Sequence, residues 1–371
     1  MTGLEAKTPI RERLLAEAQV CAHSGSPMYA RLLELAARDV DAGGPVLRIL
    51  LAAGSPDFGP VGARLLAGLH ELVLAGEAPD LACFYPSVGG DWRRQGLEEA
   101  LRETSTRFSS RLGAWINRPI QANEVGRSAA LLCGFHLAYR VCGLPLRLLE
   151  LGSSAGLNLL WDRFFYAGPG WSWGPGESPV RLTRQFESGN PILVRGGIEI
   201  AERLGCDRYP LCSRSESDLI RMKSFIWADQ AGYRFSLLEE AWRLAAAQDF
   251  SIERAEAGEW LRCKELPVPG VATVVFHSIV WEYLPARDRD AIRETIHQAG
   301  QSATASAPLA WLRLEPLGPK RIPSVRITVW PQRLDRVLAH CRFDGSGIHL
   351  RRRQVHSRAG VSRPAPPARV P

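Results

Sequence analysis

A short apolar run that breaks into glycines constrains this chain more than any other stretch. Residues 146–159 read LRLLELGSSAGLNL. Leu146, Leu148, Leu149 and Leu151 predict a buried strand, Gly152–Gly156 a tight turn, and Leu157 onward a helix to Phe165. Strand, glycine turn and helix in succession open a nucleotide-type α/β site. Glu150 stands at the end of that strand. A carboxylate withdrawn from water there is costly unless something meets it.

The turn admits three readings. As a dinucleotide turn, G-x-G-x-x-G, it keeps only Gly152. Ser154 and Leu157 fall where the other glycines belong, and the last must be small for helix–strand packing. As a nucleophile elbow, Gly152-Ser153-Ser154-Ala155-Gly156 satisfies G-x-S-x-G. Ser154 would attack, with Asp207 or Asp229 and His277, His340 or His349 completing a triad. An elbow sits mid-sheet, however, and the residues before Leu146 predict helices. The third reading is the acid-x-G-x-G-x-G turn that binds S-adenosylmethionine. Glu150, Gly152 and Gly156 match it, and Ser154 keeps the central position small. This cofactor has no phosphate to cradle, so glycines serve close backbone approach and the acid meets an ammonium group. Ser153, Ser154 and Asn158 join that site. Asp207, one strand later, takes the ribose hydroxyls, and Glu256 with Ala257, after the next strand, lies by the adenine. The bland alternative is that each acid is a solvated loop residue.

The remaining pattern fits such a site. Helical spacing marks residues 4–22, 27–40, 60–75, 91–112 and 123–142, with Ser26-Pro27 as a helix start and Gly143 as a stop. No strand is predicted before Leu146. After it, a Gly/Pro/Trp-rich loop spans 168–179, either a functional excursion or a surface loop packed by its tryptophans. Segments at 180–200 suggest a hairpin or displaced strand. A strand ends at Asp207, a helix covers 234–248, and a strand at 250–257 ends near Glu256. Strand 271–276 runs into His277, helix 287–298 follows, and strand 309–314 ends at Glu315. Residues 324–330 and 347–352 predict a closing antiparallel pair. Alternation of this kind predicts an α/β fold with a mostly parallel sheet and helices on both faces. With the Glu150 turn and the closing antiparallel pair it reads as a Rossmann-like class I methyltransferase sheet behind an all-helical N-terminal domain. The expected boundaries are 1–143 for the helical lid or substrate domain, 144–352 for the α/β domain, and 353–371 for a disordered basic tail.

Composition excludes some partners. Net charge is +7, but residues 351–371 hold six arginines and no acid, so the rest sums to about +1. That balance predicts a small-molecule substrate and no nucleic-acid groove. No run approaches the roughly 18 apolar residues of a membrane span; residues 128–152 come nearest and are broken by His136, Arg140 and Arg147. Eight scattered cysteines form no CxxC pair and no zinc spacing. They read mostly as buried free thiols, which fits a reducing cytoplasm.

Specific segments give a further pointer. Gly25-Ser-Pro-Met-Tyr29-Ala30, Tyr85-Pro-Ser-Val-Gly-Gly90, Gln121-Ala-Asn-Glu-Val-Gly-Arg127, Leu148 to Arg163 and Phe276-His277-Ser278 are similar to motifs of the bacterial domain of unknown function 2332 family. The resemblance covers most of residues 20–350. It implies a methyltransferase-like sheet behind a helical domain and no established reaction. Ala122 stands in place of the family's threonine, Phe276 of its first histidine, and Glu256 of an aspartate.

Several polar residues carry two readings. Asn123, Glu124 and Arg127 either cap a helix, with a Glu124–Arg127 ion pair, or close the cofactor pocket from the helical side. Tyr85 either lines that pocket or fills a core. His277, at a strand end, is either a general base for an acceptor or a histidine held by a backbone carbonyl. Methyl transfer to a small acceptor is the leading expectation. A cofactor-fold protein that binds without turnover and a hydrolase using Ser154 are the alternatives.

Overall fold

The computed structural model describes residues 3–52, 60–250, 252–318 and 321–351. The tail expected at 353–371 lies outside the described residues. Helices come first: α1 (Gly3–His23), α2 (Pro27–Asp41), α3 (Pro45–Ala52), α4 (Val61–Leu74), α5 (Pro79–Ala82), α6 (Leu97–Arg107) and α7 (Ser109–Ile116). Ser26 caps α2 by accepting from Tyr29 N at 3.3 Å, with Pro27 at the first helical position. Leu14, Met28, Leu32, Leu65, Leu69 and Leu112 meet in one buried core. The single helix expected at 91–112 is α6 and α7, broken at Phe108, whose φ/ψ of −107°/23° is not helical.

The helix expected from Asn123 begins at Arg127, so α8 is Arg127–Cys142, closed by left-handed Gly143. Ala130, Leu131, Phe135 and Ala138 of α8 share a core with Leu148, Phe276 and Leu312 of the sheet. Buried apolar residues up to Ile116 form the helical core, which Ala228 joins, and Val125 begins the core shared by α8 and the sheet.

The strands are β1 (Leu146–Leu151), β2 (Phe165–Gly168), β3 (Trp171–Trp173), β4 (Arg181–Leu182), β5 (Phe186–Ser188), β6 (Ile200–Asp207), β7 (Glu253–Arg254), β8 (Ala272–Ser278), β9 (Leu309–Leu317), β10 (Ile322–Trp330), β11 (Leu334–His340) and β12 (Ile348–Leu350). Nine of them form a sheet in the order β5-β12-β11-β10-β9-β8-β1-β6-β7. The run β7-β6-β1-β8-β9 is parallel. β9 through β12 are antiparallel. The fold is α/β with a large, mostly parallel sheet. Further helices are α9 (Glu216–Ser224), α10 (Ala231–Ala246), α11 (Ala257–Arg262) and α12 (Ala286–Ser302). The strand period of two divides the side chains between the faces. Leu146 and Leu148 of β1 pack with α8 and α10, whereas Leu149 and Leu151 pack with α11 and α12. Glu150 shares the α8 side with Leu148.

Four expectations shift. Leu157–Arg163 is a buried 3₁₀ stretch instead of an α-helix. The strand at 250–257 shrinks to β7, and Glu256 immediately precedes α11. The expected pair 324–330 with 347–352 is not adjacent, because β11 lies between β10 and β12. β11 is half-exposed, so its Asp335 and Arg336 interrupt the apolar pattern that would mark a strand. Part of the 168–179 loop is a β2–β3 hairpin that buries Trp173 and lets its Nε1 donate to Gly196 O at 3.0 Å.

All eight cysteines are free; Cys21, Cys206 and Cys341 are buried, while Cys212 and Cys263 are exposed. Among the described residues, no helix is long and apolar enough to cross a membrane.

Candidate functional site

The chain runs from β1 outward to β6 and β7, then returns to β8 and β9 on the other side. Such a reversal opens a crevice at the carboxyl ends of the central strands. A cleft of about 930 Å³ lies there. Gly152, Ser154, Asp207, Glu256 and Ala257 line it, with Arg208, Tyr209, Ser278, Val280 and Tyr283. Gln121 and Ala122 close it from the irregular segment before α8, and Arg127 from the first residue of α8.

The turn is built on left-handed residues: φ is 70° at Gly152, 52° at Ser154 and 73° at Gly156. Gly152 N and Ser153 N both donate to Cys206 O, at 3.0 and 2.9 Å, tying the turn to the end of β6. A Cβ on Gly152 would stand 2.4 Å from Val280 Cγ2, and one on Gly156 would stand 2.6 Å from Phe250 Cε2. Both glycines are thus required by conformation and by packing against protein side chains. Ser154, a non-glycine in this region, is held by two bonds. Its N–H donates to Asp207 Oδ2 at 2.9 Å and its Oγ donates to Gln121 Oε1 at 2.6 Å. No imidazole meets this hydroxyl among the described residues, so the triad drawn for Ser154 does not assemble.

Glu150 is 1% exposed and its Oε2 has no hydrogen-bond partner. Burial holds its carboxyl well above the usual range, and the Asp207 charge pushes the same way, against the pull of Arg127. Asp207 is in contrast well supplied. Oδ1 accepts from Tyr209 N at 2.8 Å and from Gln121 Nε2 at 3.2 Å, and Oδ2 accepts from Ser154 N. Glu256 pairs with Arg208 at 2.5 Å across the ends of β6 and β7. Among the described residues, no cluster of histidine, cysteine, aspartate or glutamate could hold a metal ion.

Glu150, Ser153, Asn158, Asn123, Glu124 and Tyr85 do not line this cleft; Glu150 is buried behind the turn, at the end of β1. Ser153 donates from Oγ to Glu150 O at 2.8 Å, and its own carbonyl accepts from Asn123 Nδ2 at 2.9 Å. Asn158 is fully buried against α8, accepting from Ser128 Oγ at 2.6 Å. Glu124 does not pair with Arg127. It pairs with Arg234 of α10, because residues 121–124 belong to no helix and Val125–Gly126 form a turn before α8. Asn123 and Glu124 line a second cavity of about 490 Å³ beside α10. Arg127 instead donates to Phe343 O at 2.9 Å and Ala122 O at 3.0 Å, pinning the segment to the β11–β12 turn. Tyr85 is buried in the helical core.

His277 differs most from expectation. The two-residue period turns it away from Ser278 and onto the α12 side, among Trp281 and Trp311. Its Nε2 accepts from Trp311 Nε1 at 3.2 Å and its Nδ1 meets Glu315 Oε1 at 2.7 Å. Neither nitrogen reaches the cleft. Phe276 packs edge-on against Phe135 at 5.1 Å.

Gln121 and Arg234 were not singled out by sequence reasoning. Gln121 lies in a segment already marked by Asn123 and Arg127, but only the late start of α8 shows that it reaches Asp207.

Fold and site together define an α/β protein with a cleft at the switch point of its sheet. Residues 11–349 match the family described as an uncharacterized protein conserved in bacteria (DUF2332), and the chain belongs to that family. No curated protein and no solved structure matches it.

Proposed function

We propose that this chain binds S-adenosylmethionine in the switch-point cleft and transfers its methyl group to a small molecule. The observation that carries this reading is Glu150, a carboxyl 1% exposed with an orphan oxygen at the end of the central strand. An unpaired buried acid is a standing cost, and a cationic ligand group offsets it. The parallel strand order also supports the reading. Counted along the chain it is 3-2-1-4-5, the order of doubly wound sheets. The closing β9–β12 strands are a sequential meander.

When bound, the cofactor supplies a sulfonium methyl group for in-line displacement. The residues of the chain hold and enclose it. Glu150 meets the ammonium group, Asp207 the ribose hydroxyls, and Glu256 with Ala257 borders the adenine. Residues 119–127 exclude water from the cleft and fix the approach of the acceptor. His277 faces away, so the cleft suits an acceptor that is nucleophilic without a base. Calorimetry with S-adenosylmethionine and its demethylated product tests this reading. Binding by the wild type that is lost in Asp207→Ala supports it, and no binding to either ligand refutes it.

The engagement of both His277 nitrogens favours one second reading, a binding protein without turnover. Binding with no methyl transfer to any of a panel of amines, thiols and carboxylates would select it.

A further inference from the structure

Gln121 reaches from the segment between α7 and α8 into the cleft through its side chain. Its Nε2 donates to Asp207 Oδ1 at 3.2 Å and to Tyr209 O at 3.0 Å, and its Oε1 accepts from Ser154 Oγ at 2.6 Å. The carboxamide is therefore fully hydrogen-bonded, and the residue is 6% exposed.

The acceptor capacity of Asp207 sets the consequence. A carboxylate offers about four lone-pair sites. Tyr209 N and Ser154 N fill two of them from backbone fixed in the strand end and the turn. Gln121 fills a third. A vicinal diol bound to one carboxylate donates two hydrogen bonds, and one site is left.

Gln121 is also the movable member. It belongs to no helix or strand, and the residues after it are anchored. Asn123 donates to Ser153 O, Glu124 pairs with Arg234, and Arg127 donates to Phe343 O. Rotation about its side-chain bonds can release Asp207 while those anchors stay.

We infer that Gln121 is a ligand-displaceable latch: its carboxamide holds on Asp207 and Ser154 the positions that the diol of a ribonucleoside ligand takes, and the diol binds by turning it out. This rests on the cofactor reading above. The latch satisfies the polar groups of Asp207 and Ser154 from within the chain and frees the Ser154 hydroxyl for the ligand only when the diol is present. It also sets a selectivity, because a deoxynucleoside with one hydroxyl fits the site still open on Asp207 without moving Gln121.

The test is calorimetric titration of the full chain with S-adenosylhomocysteine and with its 2′-deoxy analogue. Wild type, Gln121→Ala and Gln121→Met are compared; methionine keeps the side-chain volume but cannot donate to Asp207. The latch predicts that both variants bind the ribonucleoside about tenfold more tightly than wild type, the equivalent of about 1.4 kcal/mol. Affinity for the 2′-deoxy analogue stays unchanged. Weaker or equal binding of the ribonucleoside by folded variants, or the same gain for both ligands, overturns the latch while wild-type binding still upholds the cofactor reading. Absence of binding to all three proteins removes the cofactor reading and the latch together.

Discussion

His277 Nδ1 and Glu315 Oε1 lie 2.7 Å apart on the α12 side of the sheet, and Trp311 Nε1 donates to the opposite ring nitrogen across 3.2 Å. An indole N–H only donates, so Nε2 accepts and Nδ1 carries the hydrogen to Glu315. Glu315 Oε1 also accepts from Val280 N at 3.1 Å and Trp281 N at 3.3 Å, which shapes the loop beside the cleft. The imidazole is a structural bridge. His277→Ala is expected to destabilise the fold by about 2–4 kcal/mol in urea unfolding, through the cavity and the stranded Glu315 carboxyl. Ligand affinity is expected to stay near the wild-type value. A loss of binding without loss of stability would return His277 to the cleft.

The Glu124–Arg234 pair crosses from the segment before α8 to α10, with both side chains largely buried. Removing one member leaves the other charge unpaired. Glu124→Ala is expected to cost about 3 kcal/mol or more in equilibrium unfolding. The double variant Glu124→Gln with Arg234→Met is expected to recover part of that loss.

Gly152 has two reasons to be glycine, its φ of 70° and the Val280 methyl that fills the space of a Cβ. Gly152→Ala is expected to destabilise by about 2–4 kcal/mol, the left-handed penalty plus overpacking. Adding Val280→Ala relieves the clash but not the backbone term. A full rescue in the double variant would show that the conformation costs nothing here.

Glu150 gives a pH dependence with a definite sign. Burial holds its carboxyl in the folded chain well above the usual carboxylate range. Between the unfolded and folded values the native state holds a proton that the unfolded state has lost, so this contribution to stability falls as pH rises through that window. Glu150→Gln is expected to flatten the slope and to leave the ligand-free protein more stable above the window. Unfolding free energies measured across pH for both proteins check this.

Much of this was legible in the sequence because it is local. The run Leu146–Leu151, the positive-φ glycines and the Ser26-Pro27 helix start are written in neighbouring residues. The acids at 150 and 207 could be placed by strand ends alone. What was hidden depends on distant partners. The aim of His277 follows from the strand period, but the period cannot say which face holds the cleft. Glu124 finds Arg234 at a separation of 110 residues. β11 is a strand because β10 and β12 flank it, and its own residues are half polar.

The most direct measurement is the affinity of S-adenosylmethionine for wild type and Glu150→Gln, by calorimetry at several pH values. If Glu150 meets the cationic group, wild type binds in the micromolar range, and binding tightens as pH rises because the carboxyl must give up its proton. The variant, neutral at every pH, loses about a hundredfold in affinity and the pH dependence with it. Equal affinity in the two proteins, or no binding by a folded wild type, would contradict the account.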